Sequence, residues 1–136
     1  MSRVLVDSNV FLDIMTEDER WYEWSAATLE RAASDGIICI NPIIYGEVSV
    51  RFDGIEELED ALPGDFIERL PVPYEAAFLA GKCYLKDRRR GGKSQSPLPD
   101  FLIGAHAAVL GIPLATRDDS RYRTYFPQLE LLAPDR

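Results

Sequence analysis

The sequence predicts an α/β fold: a single three-layer domain with a mainly parallel central sheet flanked by helices. Three observations predict it. Short, apolar, β-branched-rich runs at residues 4–6, 37–40 and 112–115 read as strands buried on both faces of a sheet. Strands alternate with helical stretches along the chain, and such alternation implies right-handed crossovers between parallel strands. The 136 residues are 46% apolar, with no linker, internal repeat or low-complexity stretch, so residues 1–136 form one domain with a real core.

Taken in order, the first strand ends abruptly at Asp7-Ser8-Asn9, and residues 10–16 form a short helix. Residues 21–33 carry Trp21, Trp24, Ala27, Leu29 and Ala32 at helical spacing. Asp35-Gly36 is expected to turn the chain into the second strand. Asn41-Pro42 is a helix start, with Asn as N-cap and Pro behind it, and Gly54 ends that helix. A short acidic helix at 55–62 stops at Pro63-Gly64, and residues 66–70 are a weak strand. Pro73 opens a helix that gives way to a basic, glycine-containing loop from Lys86 to Lys93. Pro99-Asp100 starts a strongly apolar helix closed by Gly111, and residues 112–115 are a strand. Thr116-Arg117-Asp118-Asp119, a short Tyr- and Arg-rich helical piece and a last strand at 129–132 follow.

The totals exclude several classes of function. Fifteen Lys and Arg against 23 Asp and Glu give a net charge of −8, which rules out a basic footprint over the whole surface. No apolar run approaches the roughly 20 residues needed to span a bilayer, and nothing at the N-terminus reads as a leader, so a cytoplasmic location is expected. Cys39 and Cys83 are expected as separate, reduced, buried thiols. With one histidine, His106, neither a Cys/His zinc site nor a histidine pair for acid–base chemistry is available. His106 itself lies six residues beyond Asp100, on another helix face, and is expected to be buried or at an interface.

Four carboxylates carry the chemistry. Asp7 follows the first strand and Asp118 follows the fourth, and the crevice beyond the carboxyl ends of parallel strands is where open α/β sheets bind ligands. Glu47 lies on an otherwise apolar helix surface, and Asp100 in the first turn of an apolar helix. Each has a local explanation: Asp7 and Asp100 as helix caps, Glu47 paired with Arg51, Asp118 in a turn. Together in one crevice they would repel and raise one another's pKa unless a cation neutralised them. Oxygen-only ligation selects Mg²⁺ or Mn²⁺, and such ions stabilise phosphoryl charge and activate water.

The segments D-S-N-V-F-L-D, N-P-I-I-Y-G-E, P-D-F-L-I-G-A-H-A and L-A-T-R-D, in this order, resemble those of PIN domains, specifically the VapC-like ribonuclease toxins of bacterial toxin–antitoxin pairs. The resemblance spans essentially the whole chain. It implies an endoribonuclease that hydrolyses RNA phosphodiesters with one or two Mg²⁺ or Mn²⁺ ions. Asp7 and Asp100 would be direct ligands, with Glu47 and Asp118 completing the site directly or through water. Asp119, adjacent in sequence, could supply the fourth acid instead. Ser8, Asn9 and Thr116 match small polar positions that orient waters or ligands. The partners implied are the RNA substrate, a cognate antitoxin and a second copy of the chain as a homodimer, with Trp21, Trp24 and Tyr45 candidates for either protein contact.

With water as nucleophile, in-line attack does not require the 2′-hydroxyl, so RNA preference would rest on shape. Arg88, Arg89, Arg90 and Lys93, helped by Arg117, Arg121 and Arg123, are the candidate phosphate contacts. Phosphoaspartyl receivers and haloacid dehalogenases also carry an Asp after the first strand. This chain lacks their second acid there, the D-x-D and the later lysine. The other alternative is a catalytically silent PIN-like interaction module, which would have no reason to keep four mutually repelling acids.

Overall fold

The computed structural model describes residues 2–91 and 95–135. Its five strands, β1 (Ser2–Val6), β2 (Gly36–Ile40), β3 (Ile67–Arg69), β4 (Leu114–Ala115) and β5 (Leu131–Leu132), form one sheet in the order β3-β2-β1-β4-β5. All four pairings are parallel. Seven helices connect them: α1 (Ser8–Met15), α2 (Tyr22–Asp35), α3 (Pro42–Ser49), α4 (Ile55–Ala61), α5 (Tyr74–Arg90), α6 (Leu98–Leu110) and α7 (Ser120–Tyr125). Leu5, Val6, Cys39, Ile40, Leu114 and Ala115 are essentially sealed from solvent, which explains why these strands read as unbroken apolar runs rather than as alternating ones. Cys39 and Cys83 are free and buried, as expected.

β1 lies between β2 and β4, so the strand order reverses at its carboxyl end, and the crevice opens there. Asn41 caps α3 as the sequence indicates: its Oδ1 accepts from the Ile44 N–H at 2.9 Å, and Pro42 follows it.

Three local expectations need correction. Asp35-Gly36 makes no turn: α2 runs to Asp35 and β2 begins at Gly36 in extended backbone. Glycine stands there because a Cβ would lie 2.1 Å from the Ser2 carbonyl oxygen of β1. Arg88, Arg89 and Arg90 are not in a loop but form the last turn of α5, where basic side chains complement the helix dipole; Gly91, at φ +66°, ends it. Lys93 lies outside the described residues. β4 and β5 are two residues each, shorter than their apolar runs, because only Leu114, Ala115, Leu131 and Leu132 find a ladder partner.

Candidate active site

Backbone geometry delivers Asp7 to the crevice. It leaves β1 in extended conformation and caps α1, its Oδ1 accepting from the Ser8 N–H at 2.8 Å. Cap and site residue are therefore one role here. Its other oxygen, Oδ2, accepts from Thr116 Oγ1 at 2.9 Å, Tyr122 OH at 3.0 Å and Asn9 Nδ2 at 3.4 Å. Only 4% of Asp7 is exposed. Burial raises its pKa; the donors from Thr116, Tyr122 and Ser8 oppose that, and the Asp100 charge adds to it.

Ser8 and Asn9 bind the neighbouring elements to this centre. Ser8 Oγ donates to Glu47 Oε1 at 2.9 Å, joining α1 to α3. Glu47 thus makes its hydrogen bond across the crevice and not along its own helix to Arg51. Asn9 Nδ2 reaches Thr116 Oγ1 at 3.1 Å, while its Oδ1 accepts from the Arg117 N–H at 3.3 Å. Thr116 Oγ1 also accepts from the Asp118 N–H at 3.2 Å. The three small polar residues singled out in the sequence therefore form one network around Asp7.

The acids sense one another. Glu47 has a raised pKa, first through burial and then through the charges of Asp7 and Asp100, against the Ser8 hydrogen bond. Asp100, in the first turn of α6, is also raised by burial and by Asp118, while an ion pair with Arg121 of α7 pulls it down. Asp118 is exposed at the rim and coupled to Asp100. Asp119 is buried, precedes α7 without a side-chain cap bond and pairs with Arg123 four residues on, Nε to Oδ2 at 2.6 Å. The charge of Asp118 acts on Asp100.

One contributor, Tyr122, and one pairing, that of Arg121 with Asp100, were not named from sequence. Tyr122 is almost wholly buried on Asp7, and burial together with the charges of Asp7, Asp100 and Glu47 holds its phenol firmly protonated. Its only sequence signal was an aromatic residue shortly after the fourth acid. The Arg121–Asp100 pair had no signal, because α7 and α6 are brought together by tertiary packing alone.

The basic residues are mostly engaged elsewhere. Arg88 Nη2 donates to the Ser96 carbonyl at 2.8 Å, and Nη1 to Gln95. Arg90 donates to Tyr125 OH at 3.2 Å, which in turn donates to the buried Asp87 at 2.9 Å. Arg117 Nε binds Asp13 Oδ2 at 2.7 Å, where Ser25 Oγ also donates. Arg89 is exposed at the end of α5. His106 is fully buried: its Nδ1 lies 2.9 Å from Asn41 Nδ2, far in role from a general base, and burial lowers its pKa.

The donor set fits a hard divalent ion in kind, being oxygen only and electrostatically strained. As the side chains lie, however, no group of three His, Cys, Asp or Glu among the described residues is gathered closely enough to hold an ion. Glu47 is turned to Ser8 and Asp100 to Arg121, so both would have to reorient toward a shared cation.

Comparison with known proteins agrees with this layout. A chain of the VapBC2 complex from Rickettsia felis, solved with a promoter DNA fragment, superposes with TM-score 0.73 at 19% identity, covering 98% of this chain and 99% of that one. A chain of VapBC-1 from nontypeable Haemophilus influenzae gives 0.70 at 16%, covering 95% and 96%. One from DNA-bound VapBC of Salmonella typhimurium gives 0.64 at 20%, covering 98% of each. At such identities the likeness speaks for the fold. No curated protein matches the chain. A family model, that of the PIN domain, matches residues 4–127, a span that includes every acid discussed above. On that match, and with a sheet and crevice of this form, the chain belongs to the PIN domain family.

Proposed function

We propose that this chain is a Mg²⁺- or Mn²⁺-dependent endoribonuclease and the toxin of a toxin–antitoxin pair. The observation that carries the reading is the gathering of carboxylates where the strand order reverses: the Asp100 charge acts on Asp7, Asp7 and Asp100 act on Glu47, and Asp118 acts on Asp100. Carboxylates kept together at such cost have a use when a cation joins them. The solved relatives support the biological half, since they are toxin–antitoxin assemblies such as the complex from Klebsiella pneumoniae.

In this reading Asp7 and Asp100 are the direct ligands, with Glu47 and Asp118 completing the site directly or through water. The ion would supply charge neutralisation at the phosphoryl oxygens and a lowered pKa for water. The chain's own residues do the positioning. Thr116 and Tyr122 fix Asp7 Oδ2, Oδ1 accepts from the Ser8 N–H, and Ser8 Oγ holds Glu47 next to Asp7, from where it would turn to a shared ion. Arg89, exposed at the end of α5, would meet the RNA backbone, with Lys93, four residues on in the sequence, a further candidate. The partners in this reading are RNA, a cognate antitoxin and a second copy of the chain.

The test is cleavage of a panel of structured RNAs by wild type and Asp7→Asn, with Mg²⁺, Mn²⁺ or EDTA. Cleavage that needs the ion and is lost in the variant is the expected result. If no RNA is cut, Mn²⁺ calorimetry decides: an absence of binding by wild type replaces the nuclease by a silent interaction module.

A further inference from the structure

Five ion pairs join the described residues, and only one of them uses a member of the acidic quartet, Arg121–Asp100. Its neighbours in sequence are committed elsewhere, Arg117 to Asp13 and Arg123 to Asp119. Asp100 is largely buried in the crevice (16% of its side chain exposed), whereas Arg121 is twice as exposed at 32%, so the guanidinium covers the acid from the solvent side. The next residue, Tyr122, donates to Asp7. One short helix thus sets a cation on one acid and a phenol on another.

We propose that Arg121 is an exchanging counter-ion of this site: it neutralises Asp100 until a divalent cation takes that carboxylate, and then binds the substrate's phosphate. The inference rests on the metal-dependent reading above and deepens it. Two cations on one carboxylate repel, so an arriving ion displaces the guanidinium. The backbone of Arg121 stays beside the crevice, because the adjoining Tyr122 of α7 is buried and anchored on Asp7. A planar guanidinium matches phosphate as well as carboxylate, and a phosphodiester lying at the site is the next anion within reach. The same residue would thereby weaken cation binding and strengthen polyanion binding.

The experiment measures both on purified protein: Mn²⁺ affinity by calorimetry, and affinity for a fluorescein-labelled single-stranded oligoribonucleotide by anisotropy, with Ca²⁺ as the ion. Wild type, Arg121→Gln and Arg121→Lys are compared, with melting curves to establish that each folds. Arg121→Gln should bind Mn²⁺ about three- to tenfold more tightly and the oligonucleotide several-fold more weakly, with Arg121→Lys between them on both scales. Mn²⁺ affinity that is unchanged or weaker in Arg121→Gln overturns the exchange, as does an unchanged oligonucleotide affinity. A wild type that binds no Mn²⁺ overturns instead the metal reading on which it rests.

Discussion

Glu47 shows how a single carboxylate records the purpose of the crevice. Burial, then Asp7 and Asp100, raise its pKa above the ordinary value. A carboxyl raised in the folded state binds its proton more tightly there than in the unfolded chain. It therefore lowers stability at neutral pH, and the deficit disappears as pH falls through the folded pKa toward the unfolded value. Glu47→Gln, which still accepts from the Ser8 hydroxyl, should raise the melting temperature of EDTA-treated protein by about 2–4 °C at pH 7.5. The gain should vanish near pH 4.5, and in saturating Mn²⁺ the wild type should melt higher than the variant. His106 carries the opposite sign: burial lowers its pKa, so its contribution is present above about pH 6.5 and lost as pH falls below that. The acids were legible in the sequence because each interrupts an apolar pattern. Tyr122 was not, and Arg121 was read only as a phosphate contact and not as the partner of Asp100, because an aromatic and an arginine in a short helix break no pattern at all.

Among the elements, α7 is the one whose placement decides most. It is held against α6 at Gly104, where a Cβ would stand 2.5 Å from Phe126 Cε2 and 2.9 Å from Tyr122 Cδ1. Gly104→Ala should push both rings away, costing about 1–3 kcal/mol in urea unfolding. It should also weaken Mn²⁺ binding by loosening the Tyr122 hydrogen bond to Asp7. A variant as stable as wild type, with unaltered ion affinity, would show that α7 tolerates more slack than its packing indicates. Sequence reading recovered the caps of α1 and α3 because Asp7 and Asn41-Pro42 are local signals. It missed the direct passage from α2 into β2 and the extension of α5 through Arg90. Those boundaries are set by contact, with the Ser2 carbonyl in one case and with Asp87, Ser96 and Tyr125 in the other.

At the scale of the whole molecule, strand–helix alternation was enough to give the parallel sheet, whereas the central place of β1 comes from the strand order, which the sequence does not show. In the proposed reading, a divalent ion would relieve the repulsion among the crevice acids and so act as a stabilising ligand. Mn²⁺ at about 100 times its dissociation constant should add about 2.7 kcal/mol to the unfolding free energy of wild type. Asp7→Asn should show no such increase in thermal melts. No helix among the described residues is long and apolar enough to cross a membrane.

The hydrogen bonds that fix Asp7 come from Thr116 and Tyr122, 109 and 115 residues later in the chain. Asp118 and Arg121 arrive with the same late segment. During synthesis, then, β1, α3 and their acids emerge long before anything that can assemble them into a site. A ribosome making this protein holds an incomplete crevice until β4 and α7 have been translated and folded back beside β1.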